Sequence, residues 1–258
     1  KLPKVKLAKA KKAGDEVLVT LRVVHAADQV FAAAGHEVAT QQYELVKRAP
    51  LAALKSKGAF DNGINQNGRY ILGNDKVRAI FDSQTGVMTN LSFGGREIIM
   101  DKLGFVYDNH RWIENDRQGY DYYGPDAGKP QAQTANGLEA NGEINVVEEN
   151  GNTVVKTVRK GSLCDTEISY TIYPQGIVDV DAKFIPKSGD LRRAGLVCNI
   201  DKSLSNVDYY AYGPWENTVD RKDGVMVGRY TTKTTGEMAD RYVKPQSSGS
   251  REGLRELV

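Results

Sequence analysis

The chain has 258 residues, of which 40% are hydrophobic and 26% charged, with a formal net charge of +2. This balance is ordinary for a globular protein, and it removes any global electrostatic case for nucleic acid or an anionic membrane surface. No apolar run reaches the length of a membrane-spanning helix or a signal-peptide core, so a soluble protein is expected, cytoplasmic or periplasmic.

Residues 1–12 hold six lysines separated by Val5, Leu7 and Ala8, which reads as a solvated edge strand. From Asp15 to Val24 the alternation of Val17, Val19, Leu21 and Val23 with Leu18, Thr20, Arg22 and Val24 predicts a strand. Within 33–45, Ala39, Gln41, Tyr43 and Leu45 alternate again. Lys47 to Gly58 lacks strand alternation, contains Pro50 and ends in glycine. It reads as a linker with a helical turn, continued by an Asn/Gly-rich loop to Gly68.

After Arg69 short strands follow one another: Tyr70–Leu72, Val77–Phe81, Val87–Phe93 and Glu97–Met100, separated by hairpin signals. Residues 103–125 are irregular and 126–137 read as an exposed loop. Strands then return at 143–149, 152–159, 163–173, 177–186, 194–201 and 206–212, with compact turns at Asn150-Gly151 and Pro174-Gln175-Gly176. The last residues, Arg255 to Val258, stop inside what reads as a strand. No sustained helical periodicity and no long repeat is present, so the fold class is all-β, a sandwich of short antiparallel strands.

The stretch the chain is organised around is Tyr209 to Arg221. Gly213-Pro214 ends a strand because proline cannot donate to the ladder. Trp215, Glu216, Asn217, Asp220 and Arg221 follow at once. The expectation is a buried or half-buried corner in which Arg221 holds Glu216 or Asp220 and Trp215 shields them from water. Removing Arg221 would then cost a large fraction of the stability.

Gly213, Pro214, Glu216, Asn217, Asp220 and Arg221 form a G-P-x-E-N-x-x-D-R pattern. This resembles the motif in the small C-terminal domain of the large β-galactosidases of glycoside hydrolase family 2. Ala79–Met88 resembles that domain's F-D-x-x-T-G-x-L opening, completed by Leu91–Ile98. Arg111–Asp116 resembles its R-x-P-x-D-N-D segment, with Ile113 in the place of the proline neighbourhood and Glu114 in that of the first Asp. Leu21–Val24 and Ala34–Gln42, which includes His36, resemble the end of the Ig-like sandwich before it. The resemblance implies three parts. Residues 1–46 would be the C-terminal half of an Ig-like sandwich, with His36 structural, and 47–68 a linker. Residues 69–258 would be a galactose mutarotase-like supersandwich, incomplete at its C-terminus.

The resemblance also implies a function at one remove. Both catalytic glutamates of such an enzyme, and its Mg and Na ions, belong to an α/β barrel that this chain does not contain. That leaves this chain with no catalytic residue, no metal and no cofactor, as a scaffold and entrance wall for hydrolysis of terminal β-D-galactosides. Its partners would be the barrel of the same polypeptide, the galactoside and a homo-oligomer, with no nucleic acid and no membrane. The residues argue the same way: the pairs Glu114/Asp116 and Glu216/Asp220 each lie near an arginine, which lowers a carboxyl pKa where a general acid needs it raised. The alternative is a stand-alone carbohydrate-binding, mutarotase-like module. Trp112 or Trp215 would then stack on sugar, with Glu114, Asn115 and Asp116 beside Trp112. On the first reading both tryptophans are packing residues. Cys164 and Cys198 are expected as thiols, a disulfide being the other option, and no zinc-like Cys/His spacing occurs.

Overall fold

The computed structural model describes residues 12–60, 63–108, 142–161, 163–187, 194–234, 236–238 and 248–258. Most of the lysine-rich start, residues 109–137, His110, Trp112, Glu114, Asn115 and Asp116 lie outside them. The chain divides into two compact units, Lys1–Lys55 and Ser56–Val258, a boundary that falls inside the segment read as a linker. No described residue is helical, so the helical turn anticipated after Lys47 does not form. The described residues contain no helix long and apolar enough to cross a membrane.

In the first unit, strands β1 (Val17–Val24) and β2 (Glu37–Val46) pair antiparallel. Their joining loop, 25–36, carries a small bridge of its own between Gln29 and Ala32. The ladder is extended at its open end, where Gly14 N–H donates to the Ala49 carbonyl and Ala49 N–H to that of Asp15. Apolar side chains stay exposed along both strands, among them Val23, Val24, Val38 and Tyr43.

In the second unit two sheets carry the core. One is a five-stranded meander: β3 (Ile64–Gln66), β4 (Arg69–Gly73), β5 (Val77–Asp82), β6 (Met88–Phe93) and β7 (Arg96–Glu97). The other has four antiparallel strands in hairpin succession: β9 (Gly142–Glu149), β10 (Asn152–Arg159), β11 (Cys164–Tyr173) and β12 (Ile177–Pro186). A two-stranded pair, β8 (Val106–Asp108) with β13 (Gly195–Val197), completes this part.

The period-two pattern sets which face is buried. Val77, Ala79 and Phe81 of β5 point the same way as Met88 and Leu91 of β6, and they meet Val155, Ile168, Tyr170 and Ile172 from the opposing sheet. Phe81 and Tyr170 pack edge to face with ring centroids 5.1 Å apart, a favoured aromatic geometry. This is a sandwich closed by large side chains.

A second, smaller sheet holds the motif. Its order is β15 (Met226–Lys233), β14 (Asn206–Gly213), β16 (Glu256–Leu257). Val207, Tyr209 and Ala211 of β14 are buried, with Tyr230 of β15 packed on them. Several sequence expectations are corrected here. Asp61 to Gly68 is not all loop, since β3 forms within it. The strand expected at Glu97–Met100 shrinks to β7 and an isolated bridge from Ile99 to Ile200, and the one at 194–201 shrinks to β13. Gly94-Gly95, both at positive φ, form the tight turn into β7, whose ladder with β6 holds two pairs, Phe93 with Arg96 and Ser92 with Glu97.

Phe81 is fully buried at the sheet-sheet interface, so Phe81→Ala should cost about 3–5 kcal/mol. Val219, which is exposed, should tolerate the same truncation within about 0.5 kcal/mol. Chemical denaturation of both variants measures the contrast.

Candidate functional site

The corner after β14 is built around Asn217, which has no exposed surface at all. Its Nδ2 donates to the Tyr212 carbonyl at 3.1 Å and to the Trp215 carbonyl at 3.0 Å. Its Oδ1 accepts the Glu252 N–H at 2.7 Å, and its own N–H donates to the Ser250 carbonyl at 3.0 Å. A side-chain amide has two donors and an acceptor, and here all of them go to backbone. One side chain thus ties the end of β14 to the turn after it and to the strand segment that leads into β16.

The neighbours complete the tie. Gly213 and Pro214 are joined by a cis peptide. A Cβ at Gly213 would lie 2.8 Å from the Tyr230 ring, so this position has room only for glycine. The Tyr209 hydroxyl donates to the Pro214 carbonyl at 3.1 Å and accepts from Arg251 Nε at 3.2 Å. The Glu216 side chain is only 6% exposed; its Oε2 accepts the Gly249 N–H, and its Oε1 lies 3.7 Å from Arg221. Asp220 accepts a hydrogen bond from the Thr218 hydroxyl at 2.6 Å. Lys222 pairs with Glu252 at 2.9 Å.

Two expectations about this corner are corrected. Arg221 does pair with the buried Glu216, as expected, at 3.7 Å, but it reaches in from the surface, its side chain 57% exposed, and is not the buried centre of the corner. Trp215 does not cover the carboxylates, because it is 70% exposed. The element that organises the corner is Asn217. An arginine draws attention in a sequence through its charge, whereas a buried amide is recognised only when its backbone partners are known.

A second motif makes a second corner. Asp82 Oδ1 accepts three hydrogen bonds, from Gln84 N–H, Thr85 N–H and the Thr85 hydroxyl, at 2.9, 2.7 and 2.9 Å. This is a carboxylate-capped turn between β5 and β6. From the opposite sheet the buried Arg159 donates to the Thr85 carbonyl at 2.7 Å. Gly142, at the start of β9, lies so close to that carbonyl that a Cβ there would sit 2.0 Å from its oxygen. Burial pushes the Asp82 carboxyl up, but the bonds from Thr85 and Gln84 and the charge of Arg159 outweigh it, and the net pKa is lowered. Arg159, desolvated by burial, is itself lowered, against the raising pull of Tyr170 and Asp82. Sequence reading marked Asp82 and Thr85 as a motif and missed Arg159, which lies 74 residues from Thr85.

The remaining candidates fall apart spatially. His36 is exposed in the first unit, its ring stacked on His25. Cys164 and Cys198 are free thiols. Both are raised chiefly by burial, Cys164 beside Tyr107 and Asp165, Cys198 beside Phe105. Tyr107, desolvated beside Cys164, is pushed up to about 12. Among the described residues no group of three or more metal-ligating side chains gathers. Glu216 holds the backbone of Gly249, and Asp220 holds the Thr218 side chain.

The fold is an all-β sandwich whose motif residues sit at the sheet corners. The chain is a member of the β-galactosidase small-chain family, whose model matches residues 73–258. Among curated proteins it is similar to the β-galactosidase of Priestia megaterium, with 23% identity over 93% of this chain and 23% of that protein. It is also similar to that of Streptococcus thermophilus, with 28% identity over 87% of this chain and 21% of that protein. For the β-galactosidase of Actinobacillus pleuropneumoniae the values are 28% identity over 68% and 18%. The chain thus spans less than a quarter of the length of these relatives.

Asn217→Ala leaves two carbonyls and an N–H of a buried corner without partners, and should cost about 2–4 kcal/mol. Arg221→Ala should cost less, about 0–1 kcal/mol, as for exposed pairs. Thermal melting ranks the two, and a larger loss for Arg221→Ala would return the keystone role to the arginine. Because the folded Asp82 carboxyl is depressed, its contribution is complete above the ordinary aspartate range and is lost as pH falls through the folded pKa. The loss of stability on acidification should therefore be shallower in Asp82→Asn, as followed by denaturation between about pH 5 and pH 2.

Proposed function

We propose that this chain is the non-catalytic C-terminal portion of an enzyme that hydrolyses terminal β-D-galactosides. It serves as scaffold and as one wall of the active-site entrance for a catalytic barrel elsewhere in the polypeptide. The observation that carries this reading is the small-chain family match over residues 73–258, together with the chain spanning less than a quarter of its β-galactosidase relatives. The corner chemistry supports it: Asp82 Oδ1 holds three donors of its own turn, and Glu216 Oε2 holds the Gly249 N–H of a distant segment. On this reading residues 1–46 are the end of an Ig-like sandwich, Mg and Na belong to the catalytic part, and the whole enzyme is a soluble homo-oligomer.

A second reading rests on one observation, the exposure of Trp215. A bare indole on a corner fixed by Asn217 is a surface on which a pyranose ring stacks, as in a stand-alone carbohydrate-binding module.

Three measurements test these readings. The purified chain should not turn over an aryl β-D-galactoside, and turnover abolished by Glu216→Gln would overturn the non-catalytic assignment. Titration calorimetry with galactose and lactose should be silent if the chain is a scaffold. Saturable heat that disappears in Trp215→Ala would favour the binding module. In the full-length polypeptide, deletion of 73–258 should abolish hydrolysis, and retained activity would sink the scaffold role.

A further inference from the structure

The neck of the 25–36 loop brings together two side chains that the sequence keeps apart. His25 and His36 are eleven positions apart, too far for a local chelating motif. The structure brings them together across the neck of the hairpin, at a bulge where Gly35 and His36 both face His25. Val24 faces Glu37 at the end of the β1–β2 ladder. One step further, His25 N–H donates to the His36 carbonyl at 3.0 Å and Gly35 N–H to the His25 carbonyl at 2.8 Å. The two imidazole rings lie side by side, with centroids 6.0 Å apart and planes 19° from parallel.

The loop beyond the neck is ordered by its own contacts. Gln29 N–H donates to the Ala32 carbonyl at 2.7 Å, and Asp28 Oδ1 accepts the Ala34 N–H at 2.8 Å. Phe31 folds back so that its ring meets His25 edge-on at 5.6 Å. His25 is half-buried and His36 exposed, so solvent and solutes reach the pair.

We propose that His25 and His36 form a two-imidazole chelating site for a late first-row divalent cation, of the class of Zn²⁺, Ni²⁺ or Cu²⁺. Imidazole nitrogen is a good ligand for these ions and a poor one for Mg²⁺ or Ca²⁺, which take oxygen. Binding one ion requires a nitrogen of each ring at about 2.0–2.1 Å from it, so the two side chains rotate out of their stacked arrangement on binding. Water completes the coordination shell on the exposed side. The bound ion cross-links the ends of β1 and β2 and closes the neck of the loop, so it stabilises the hairpin that carries them. Because the backbone already holds the second imidazole beside the first, its binding is intramolecular, which is the source of the affinity.

The test is titration of Zn²⁺ and Ni²⁺ into the untagged chain, with Mg²⁺ as the oxygen-seeking control. One saturable site is expected for Zn²⁺ and for Ni²⁺ and none for Mg²⁺. His25→Gln and His36→Gln should each weaken binding by about tenfold or more, since a lone imidazole loses the chelate advantage, while His110→Gln should leave it unchanged. Proton NMR of the unsubstituted chain gives a second readout: two of the three imidazole signal sets should shift together as Zn²⁺ is added. The site is refuted if neither ion saturates below millimolar concentration, if binding survives both neck substitutions, if His110→Gln removes it, or if no pair of imidazole signals moves together.

Discussion

A β-sandwich must turn its chain at the sheet ends, and every turn frees backbone N–H and carbonyl groups that no ladder partner can take. Where those groups are buried they need a substitute partner, at about 1–3 kcal/mol for each one left unmade. Asn217 meets that constraint for the small sheet. Three of its four bonds come from one amide side chain, and the fourth from its own backbone. The reach of the amide fixes where the Gly213–Arg221 turn lies and where the segment after Gly249 runs. That segment then brings Glu256 and Leu257 alongside Tyr210 and Tyr209 to complete the sheet.

The Asp82 corner solves the same problem with charge. A carboxylate with three local donors closes the β5–β6 turn, and the turn's outward carbonyl, that of Thr85, is left for Arg159 of the opposing sheet. A guanidinium brought into the interior is costly unless hydrogen-bonded and near an opposite charge. The carbonyl of Thr85 and the charge of Asp82 provide these, so the arginine binds the two layers where side-chain packing alone would leave a polar seam. The two corners differ in one consequence. A neutral amide holds at any pH, whereas the carboxylate-capped turn weakens once its proton returns.

Much of the fold was legible because period-two alternation survives wherever one face is buried. The strands Val77–Asp82, Asn152–Arg159 and Ile177–Pro186 were readable within a residue at each end. Strand β15 was not seen, and the reason is physical. The inward position 228 is a glycine because the ring of Tyr230 folds over it, 2.9 Å from where a Cβ would sit, so the alternation loses one of its apolar members. The candidate site was legible as a motif but not as a mechanism of stability. Gly213, Pro214 and Asn217 stood out by spacing. The partners Glu252, Ser250 and Gly249 did not, since they carry ordinary side chains and act through their backbone. Trp215 shows the limit of composition: tryptophan is usually well buried, and its exposure here follows from a turn that no local rule specifies.

The first unit is governed by the opposite condition. A two-stranded ribbon has two faces and no second layer in itself, so side chains such as Val23, Val38 and Tyr43 remain in water. Isolated hairpins of this size are marginal, and what order they keep comes from cross-strand contacts and from the ends of the ladder. At one end Arg48 Nε donates to the Gly14 carbonyl at 3.2 Å, beside the Gly14–Ala49 pair. At the other, the ladder closes on two imidazoles. In a ribbon whose described residues bury little apolar surface, an added cross-link counts for more than it would within a packed sandwich. The same contact between His25 and His36 would be of small account inside the sandwich, where Phe81 and Tyr170 already fix the layers, but at the neck of this hairpin it closes the ladder onto the long loop 25–36.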